Sequence, residues 1–292
     1  MTNSPALGTG GGDFTGWVYQ NDILGNRTGC NMQAYSTSSS TYTWDVLGRA
    51  ETIANQTAGS AYSYRADGQR IEKVDGVTVS WTGSKRSGHY DTNYTTNGPT
   101  TRYFYDGTMG VEDDYNPSGT ITTVNRYALG ARGIDRIENY ASSTYTYGYP
   151  LYDGHGNMRA TLAKSGASYT TSNWRSYDVW GSVRSGGTSG PKQRYCANLG
   201  HVADDESGLI YMRARYMEPA SGRFVSEDPA KSGWNWFGYA KGNPVSYADY
   251  DGREALPTDE AGWIKWAKAR YGDYNEFKKS PPFKILAAGA AA

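Results

Sequence analysis

The pattern aromatic-x-aromatic-Asp-x-x-Gly-x-Arg returns along this chain, and few folds tolerate it. Its clearest copy is Tyr42-Thr-Trp44-Asp45-Val-Leu-Gly48-Arg49. Val18-Tyr19-Gln-Asn-Asp22-Ile-Leu-Gly25-Asn26-Arg27 is a stretched copy, and in Tyr62-Ser-Tyr64-Arg-Ala-Asp67-Gly68-Gln-Arg70 the acid is displaced. Tyr103-Phe-Tyr105-Asp106-Gly107, Tyr152-Asp153-Gly154-His155-Gly156-Asn157-Met-Arg159 and Tyr177-Asp178-Val-Trp-Gly181-Ser-Val-Arg184 complete the set. Tyr115-Asn-Pro-Ser-Gly119 is a turn of the same kind without the full motif. Alternate aromatics share one face of a strand. Asp, Asn and Gly accept positive φ and the local hydrogen bonds of a tight turn. Each copy therefore reads as a β-hairpin whose second strand starts near the Arg. The turn residues expected are Asp45, Gly48, Arg49, Asp106, Gly107, Asp153, Gly154, Asp178 and Gly181. The segment 70–81 alternates about Asp75-Gly76 and is read as a further hairpin. Recurrence of one unit is the mark of a repeat array.

Composition agrees. The chain carries 26 Tyr, 9 Trp and 37 Gly, with only 37% hydrophobic residues. Tyr and Trp bury a large ring while keeping a polar handle, and they favour pleated surfaces. An all-β fold of stacked hairpins, a curved sheet or β-solenoid, is expected over 17–190, after a flexible 1–16. The Gly/Ser-rich stretch Arg184-Ser-Gly-Gly-Thr-Ser-Gly-Pro191 marks an internal boundary, and polar residues 83–100 read as a loop. Beyond Gly252 the character changes. Thr258 can cap a helix with Asp259 and Glu260 in its first turn; Trp263, Trp266, Ala267, Arg270 and Tyr271 follow at helical spacing, Gly272 ends it, and Pro281-Pro282 stops regular structure.

Several chemistries find little support. With 29 basic and 29 acidic residues the charge is balanced, so no nucleic-acid partner is expected. Cys30 and Cys196 can close one bridge if the fold brings them together, but two cysteines make no disulfide framework. His89, His155 and His201 are scattered, with no pair at metal spacing. Asp204-Asp205-Glu206 and Asp249-x-Asp251-Gly252 fall short of the ligand count of a calcium loop and read as turn acids. No metal and no cofactor is expected, and no serine-nucleophile elbow is present. The start of the chain lacks the basic and apolar regions of a secretory signal, and no apolar stretch is long enough to span a membrane.

The stretch Gly208-Leu-Ile-Tyr-Met-Arg-Ala-Arg-Tyr216-Met-Glu-Pro-Ala-Ser-Gly222-Arg-Phe-Val-Ser-Glu-Asp228-Pro229 continues into Trp234-Asn-Trp-Phe-Gly-Tyr239-Ala-Lys-Gly-Asn243-Pro244-Val-Ser-Tyr-Ala-Asp249-Tyr-Asp251-Gly252. It resembles the RHS-repeat-associated core of bacterial RHS/YD-repeat proteins, and the hairpin units are similar to YD repeats. The resemblance implies a repeat array over 17–190, a core over 191–252 and a variable tail over 253–292. It implies a structural shell or scaffold that encapsulates or presents a C-terminal toxin, secreted by or displayed on a bacterium. Tyr211, Arg213, Arg215, Tyr216, Gly222, Arg223, Phe224, Asp228, Pro229, Asn243, Pro244, Asp249 and Gly252 would build its plug. It also implies an autoproteolytic aspartyl site, with Asp228 as one acid and Arg223 beside it, cutting near Gly252/Arg253. Here the chain departs from the pattern. Tyr250 replaces the usual Pro, Arg253 the usual Leu, and the segment Ser232-Gly233-Trp234 lacks the second acid. A self-cleaving carrier, and a module whose tyrosines stack on sugars, remain alternatives. So few repeats would leave open strand edges that invite self-association or pairing with the rest of a longer shell.

Overall fold

The computed structural model describes residues 17–32, 35–54, 58–86, 89–95, 98–130, 133–231, 233–258 and 260–271. The expected N-terminal margin, Asp259, and everything from Gly272 onward lie outside the described residues. The fold is all-β with one α-helix among the described residues, and a 13-stranded antiparallel sheet dominates it. Its strands are β1 (Trp17–Asn21), β2 (Arg27–Met32), β3 (Tyr35–Trp44), β4 (Ala50–Ala54), β5 (Gly59–Tyr64) and β6 (Arg70–Asp75). A separate hairpin follows, β7 (Thr78–Arg86) with β8 (His89–Thr95). The large sheet then resumes with β9 (Thr100–Asp106), β10 (Met109–Asn116), β11 (Thr123–Gly130), β12 (Gly133–Ala141), β13 (Thr144–Tyr152), β14 (Met158–Ser165) and β15 (Ser168–Ser172). Every strand pairs with its neighbour in sequence except where β6 skips the inserted hairpin to pair with β9.

The repeat turns explain the regularity. In the clearest copy Asp45 N–H donates to Arg49 O at 2.9 Å, and Gly48 N–H donates to Asp45 O at 3.0 Å. The Asp45 carboxylate accepts the amides of Leu47 and Arg49, both at 2.9 Å. Gly48 sits at φ 73, a left-handed conformation that side chains resist. The turns beginning at Asp22, Asp153 and Asp178 repeat the arrangement. Asp106-Gly107 is different. It is a tighter turn in which β9 and β10 pair through Asp106 and Met109, with Gly107 at φ 58.

Gly154 lies in the Asp153 turn as expected, with Gly156 as its left-handed residue at φ 83. Two local expectations need correction. Asp75-Gly76 is no hairpin turn, because β6 pairs with β5 and β9 while β7 pairs with β8. Within the polar stretch 83–100, residues 83–86 and 89–95 are strand, in a hairpin standing outside the large sheet.

The second layer comes from the C-terminal third. After the short pair β16 (Arg175–Tyr177) and β17 (Val183–Gly186), four strands form a small sheet: β18 (Val202–Asp204), β19 (Leu209–Met212), β20 (Arg215–Glu218) and β21 (Arg223–Phe224). All four residues of β19 are buried, which suits a strand covered on both faces. Leu209 and Tyr211 join Tyr42, Ile53 and Tyr62 of the large sheet, while Ile210 and Met212 join Tyr195, Phe224 and Tyr239. Cys30 and Cys196 are free thiols in these two different clusters, so the bridge does not form. The pair β22 (Tyr247–Asp249) and β23 (Ala255–Pro257) leads into α1 (Glu260–Tyr271).

Candidate functional site

The repeat arginines hold the small sheet. Arg70 is fully buried and its guanidinium meets Asp204 with Nη1–Oδ2 at 2.5 Å and Nη2–Oδ1 at 3.2 Å. The rings of Tyr211, Tyr103, Tyr62 and Tyr216 surround it at 4.5 to 6.0 Å from their centroids. Lys73 lies 2.5 Å from Glu206 and 2.9 Å from Asp75. Arg27 pairs with Glu218 at 2.8 Å, lies 4.2 Å from the Tyr19 ring, and occupies the equivalent place in an earlier repeat. The acids at 204–206 are thus partners of the array and of Lys192 and Arg194. Bidentate guanidinium–carboxylate contact fixes direction as well as charge.

The expected acid–arginine pair does not assemble. Asp228 is buried, and its carboxylate accepts the Ala230 amide at 2.9 Å. Arg223 is exposed and makes no ion pair among the described residues. Arg215 stands in its place. Its Nη2 reaches Asp249 Oδ2 at 3.5 Å, its Nη1 donates to Trp236 O at 2.9 Å, and its Nε donates to the Gly252 carbonyl. Burial holds this guanidinium below its ordinary value, although Asp249, Asp228 and Asp251 all act to raise it. The carboxylate that meets Arg215 comes from β22, as Asp249. Asp249 Oδ1 also accepts the amides of Gly252 at 2.8 Å and Arg253 at 3.0 Å. One carboxylate and one guanidinium grip both sides of the peptide at Gly252.

The other expected residues serve this seam. Arg213, at φ 62, donates to Thr108 O, Leu199 O and Tyr250 O, with the Tyr250 ring 4.4 Å away. Tyr211 OH accepts the Arg70 amide, and Tyr216 OH lies 3.1 Å from Tyr64 OH. Gly222 is left-handed against Trp180, Phe224 is buried under Arg215, and the Asn243 side chain accepts the Ser246 amide. Pro229 is exposed and Pro244 is buried. Between the hairpin turns and the small sheet runs a cleft rimmed by Arg49, Arg213, Lys231 and Arg253 as well as Asp228 and Asp251. No group of three or more His, Cys, Asp or Glu among the described residues is placed to hold a metal ion.

Asp249 gives this seam a pH signature. Burial, partly offset by Arg215, pushes its carboxyl up to about 6 from 3.8. A raised carboxyl stabilises the fold most when protonated. That contribution is fully present below about pH 4 and is lost as pH rises through about 6. Its size is on the order of 3 kcal/mol. Asp249→Asn should remove it while keeping the two amide hydrogen bonds. Urea unfolding at pH 4 and pH 7 should show the stability difference between parent and D249N changing by this amount. An unchanged difference would exclude Asp249 as the titrating group.

No family model matches the chain. It is 28% identical over 282 residues to the tRNA(Glu)-specific nuclease WapA of Bacillus subtilis subsp. natto, a match to 93% of this chain and 10% of that protein. The chain spans about a tenth of the length of the WapA relatives it matches. It is 27% identical over 180 residues to the probable deoxyribonuclease RhsB of Dickeya dadantii, covering 59% of this chain and 12% of that one. Among solved structures, TcdB2-TccC3-TEV matches at a TM-score of 0.49 with 17% identity, over 81% of this chain and 13% of that chain. The sequence likenesses relate the chain to RHS-type toxins. They also correct two expectations. An inert shell with no nucleic-acid partner, with cargo, glycan or self-association in its place, does not stand beside relatives named as nucleases for tRNA and DNA. No helix of the described residues is long and apolar enough to cross a membrane.

Proposed function

We propose that this chain belongs to a nucleic-acid-damaging toxin of the RHS type, acting on tRNA after export from the producing bacterium. The observation that carries the reading is the likeness to WapA nucleases along 93% of the chain. The cleft beside Asp228 sets Arg49, Arg213, Arg215, Lys231 and Arg253 among the acids Asp67, Glu227, Asp228 and Asp251, so the reading stands on the likeness rather than on a basic surface. In this reading the hairpin units are YD repeats over 17–190. Residues 191–252 form the RHS core, and 1–16 and 253–292 flank the two. Tyr211, Arg213, Arg215, Tyr216, Asp228, Asp249 and Gly252 keep the core seated on the turns, and so keep the cleft in shape.

The test is direct. Purified full-length chain is incubated with total tRNA and with double-stranded DNA, with and without a divalent cation, and the products are resolved by size. Loss of intact tRNA at substoichiometric protein is the expected result. Cleavage of DNA alone would move the substrate to the RhsB type. Both nucleic acids intact at equimolar protein would overturn the assignment for this chain.

A further inference from the structure

Two buried guanidiniums meet under an exposed loop. Arg175 of β16 is 2% exposed and Arg194 is 3% exposed. Both donate to the same carbonyl, that of Pro191, at 3.4 and 3.3 Å. Arg175 also donates to Ser189 O at 2.7 Å, and Arg194 donates to Thr188 O. Lys192 stands beside them. Against these three cations there is one carboxylate, Asp205, which Arg194 meets at 2.5 Å and Lys192 also binds. Despite burial, which raises it, Arg194 and Lys192 hold Asp205 below its ordinary value. Arg175 makes no ion pair among the described residues, although Asp205 acts on it from a distance, and its Nε is buried with no hydrogen-bond partner. Burial, and then the charge of Arg194, hold Arg175 below its ordinary value, although Tyr177 acts to raise it.

A buried cation without an anion is costly, and loop carbonyls carry only partial charge. The carbonyls of Thr188, Ser189 and Pro191 occupy the guanidinium donors that the oxygens of an anion would otherwise accept. The loop above them, residues 187–190 after β17, is exposed. Gly186 and Gly190 are left-handed, at φ 84 and φ 78, a conformation that glycine adopts without side-chain strain. We propose that Arg175, Arg194 and Lys192 form a binding site for a phosphate group, occupied when the 188–191 loop lifts its carbonyls away. For the source of that phosphate the proposal rests on the reading of the chain as a nucleic-acid-directed toxin, and a backbone phosphodiester is the occupant it names. Fork-shaped guanidinium donors in pairs suit phosphate oxygens.

The probe is inorganic phosphate, then a short single-stranded oligoribonucleotide, each titrated into the full-length chain at constant ionic strength with chloride as control. Thermal midpoint and calorimetric binding are read. The parent should be stabilised by phosphate and not by chloride. Lys192→Gln, at an exposed position, should weaken phosphate binding about tenfold or less and Arg175→Gln by more. The oligonucleotide should compete with phosphate, and each lost contact should lower its log–log salt slope by about one. Phosphate binding without oligonucleotide competition would keep the site and assign it to free phosphate. No phosphate-specific shift in the parent overturns the site whether or not the variants fold. Cleavage of tRNA by a chain that ignores phosphate would do so while leaving the proposed function standing.

Discussion

Arg70→Met is expected to destabilise the chain by about 3–5 kcal/mol, because it strands the Asp204 carboxylate in a site from which water is excluded. The side chains of this pair are 0% and 1% exposed, so no solvent screening softens the loss. Four tyrosine rings also lose the cation they surround. Lys73, 3.8 Å from Asp204, supplies a partial substitute and favours the lower part of the range. Urea unfolding followed by tyrosine fluorescence measures the effect. The double change Arg70→Met with Asp204→Leu should recover most of the stability, since removing both charges leaves none unpaired. Recovery absent in the double variant would mean that packing around the guanidinium, rather than the stranded charge, sets the cost.

Gly252→Ala should be nearly as damaging. Gly252 is left-handed at φ 75, and a Cβ there would lie 2.4 Å from Met212 O and 3.0 Å from the Arg215 amide. These neighbours are backbone atoms of β19 and β20, so they cannot swing aside as a side-chain tip would. Left-handed strain costs about 1–2 kcal/mol and forced overpacking about 1–3 kcal/mol more. The shift would also disturb the grip of Arg215 and Asp249 on this peptide. A fall in thermal midpoint of roughly 5–15 °C is expected by calorimetry. Gly68→Ala, left-handed at φ 91 but with nothing within 4 Å, serves as the strain-only control and should cost about 1–2 kcal/mol. Equal losses in the two variants would remove the collision from the account.

What the sequence made legible was local. The Asp45 turn could be read because its chemistry lies within five residues, Asp45 to Arg49, and one glycine. The all-β class followed from the same units. Asp75-Gly76 looked like a hairpin because turn propensity says nothing about which strand is the partner. The site failed for the same reason at greater range. Arg223 precedes Asp228 closely in sequence, yet the guanidinium that shares its acids is Arg215, from the preceding strand. Asp249 enters from a strand more than twenty residues beyond Asp228; the motif singled it out, but not its pairing with Arg215. Arg175 and Arg194 carried no motif, because a charge imbalance appears only when burial is known.

The connectivity also separates two orders of assembly. Large-sheet pairings join strands adjacent in sequence, apart from the single skip from β6 to β9. Each hairpin can close as soon as its own residues exist, at a small loop-closure cost. The ties that seat the second layer span far more chain, with separations of 134 residues for Arg70 and Asp204 and 191 for Arg27 and Glu218. During synthesis the array therefore waits with the Arg27 and Arg70 guanidiniums unpaired until the last third emerges. A ribosome stalled before Asp204 would hold a ladder of hairpins that lacks the partners for its inward-facing cations.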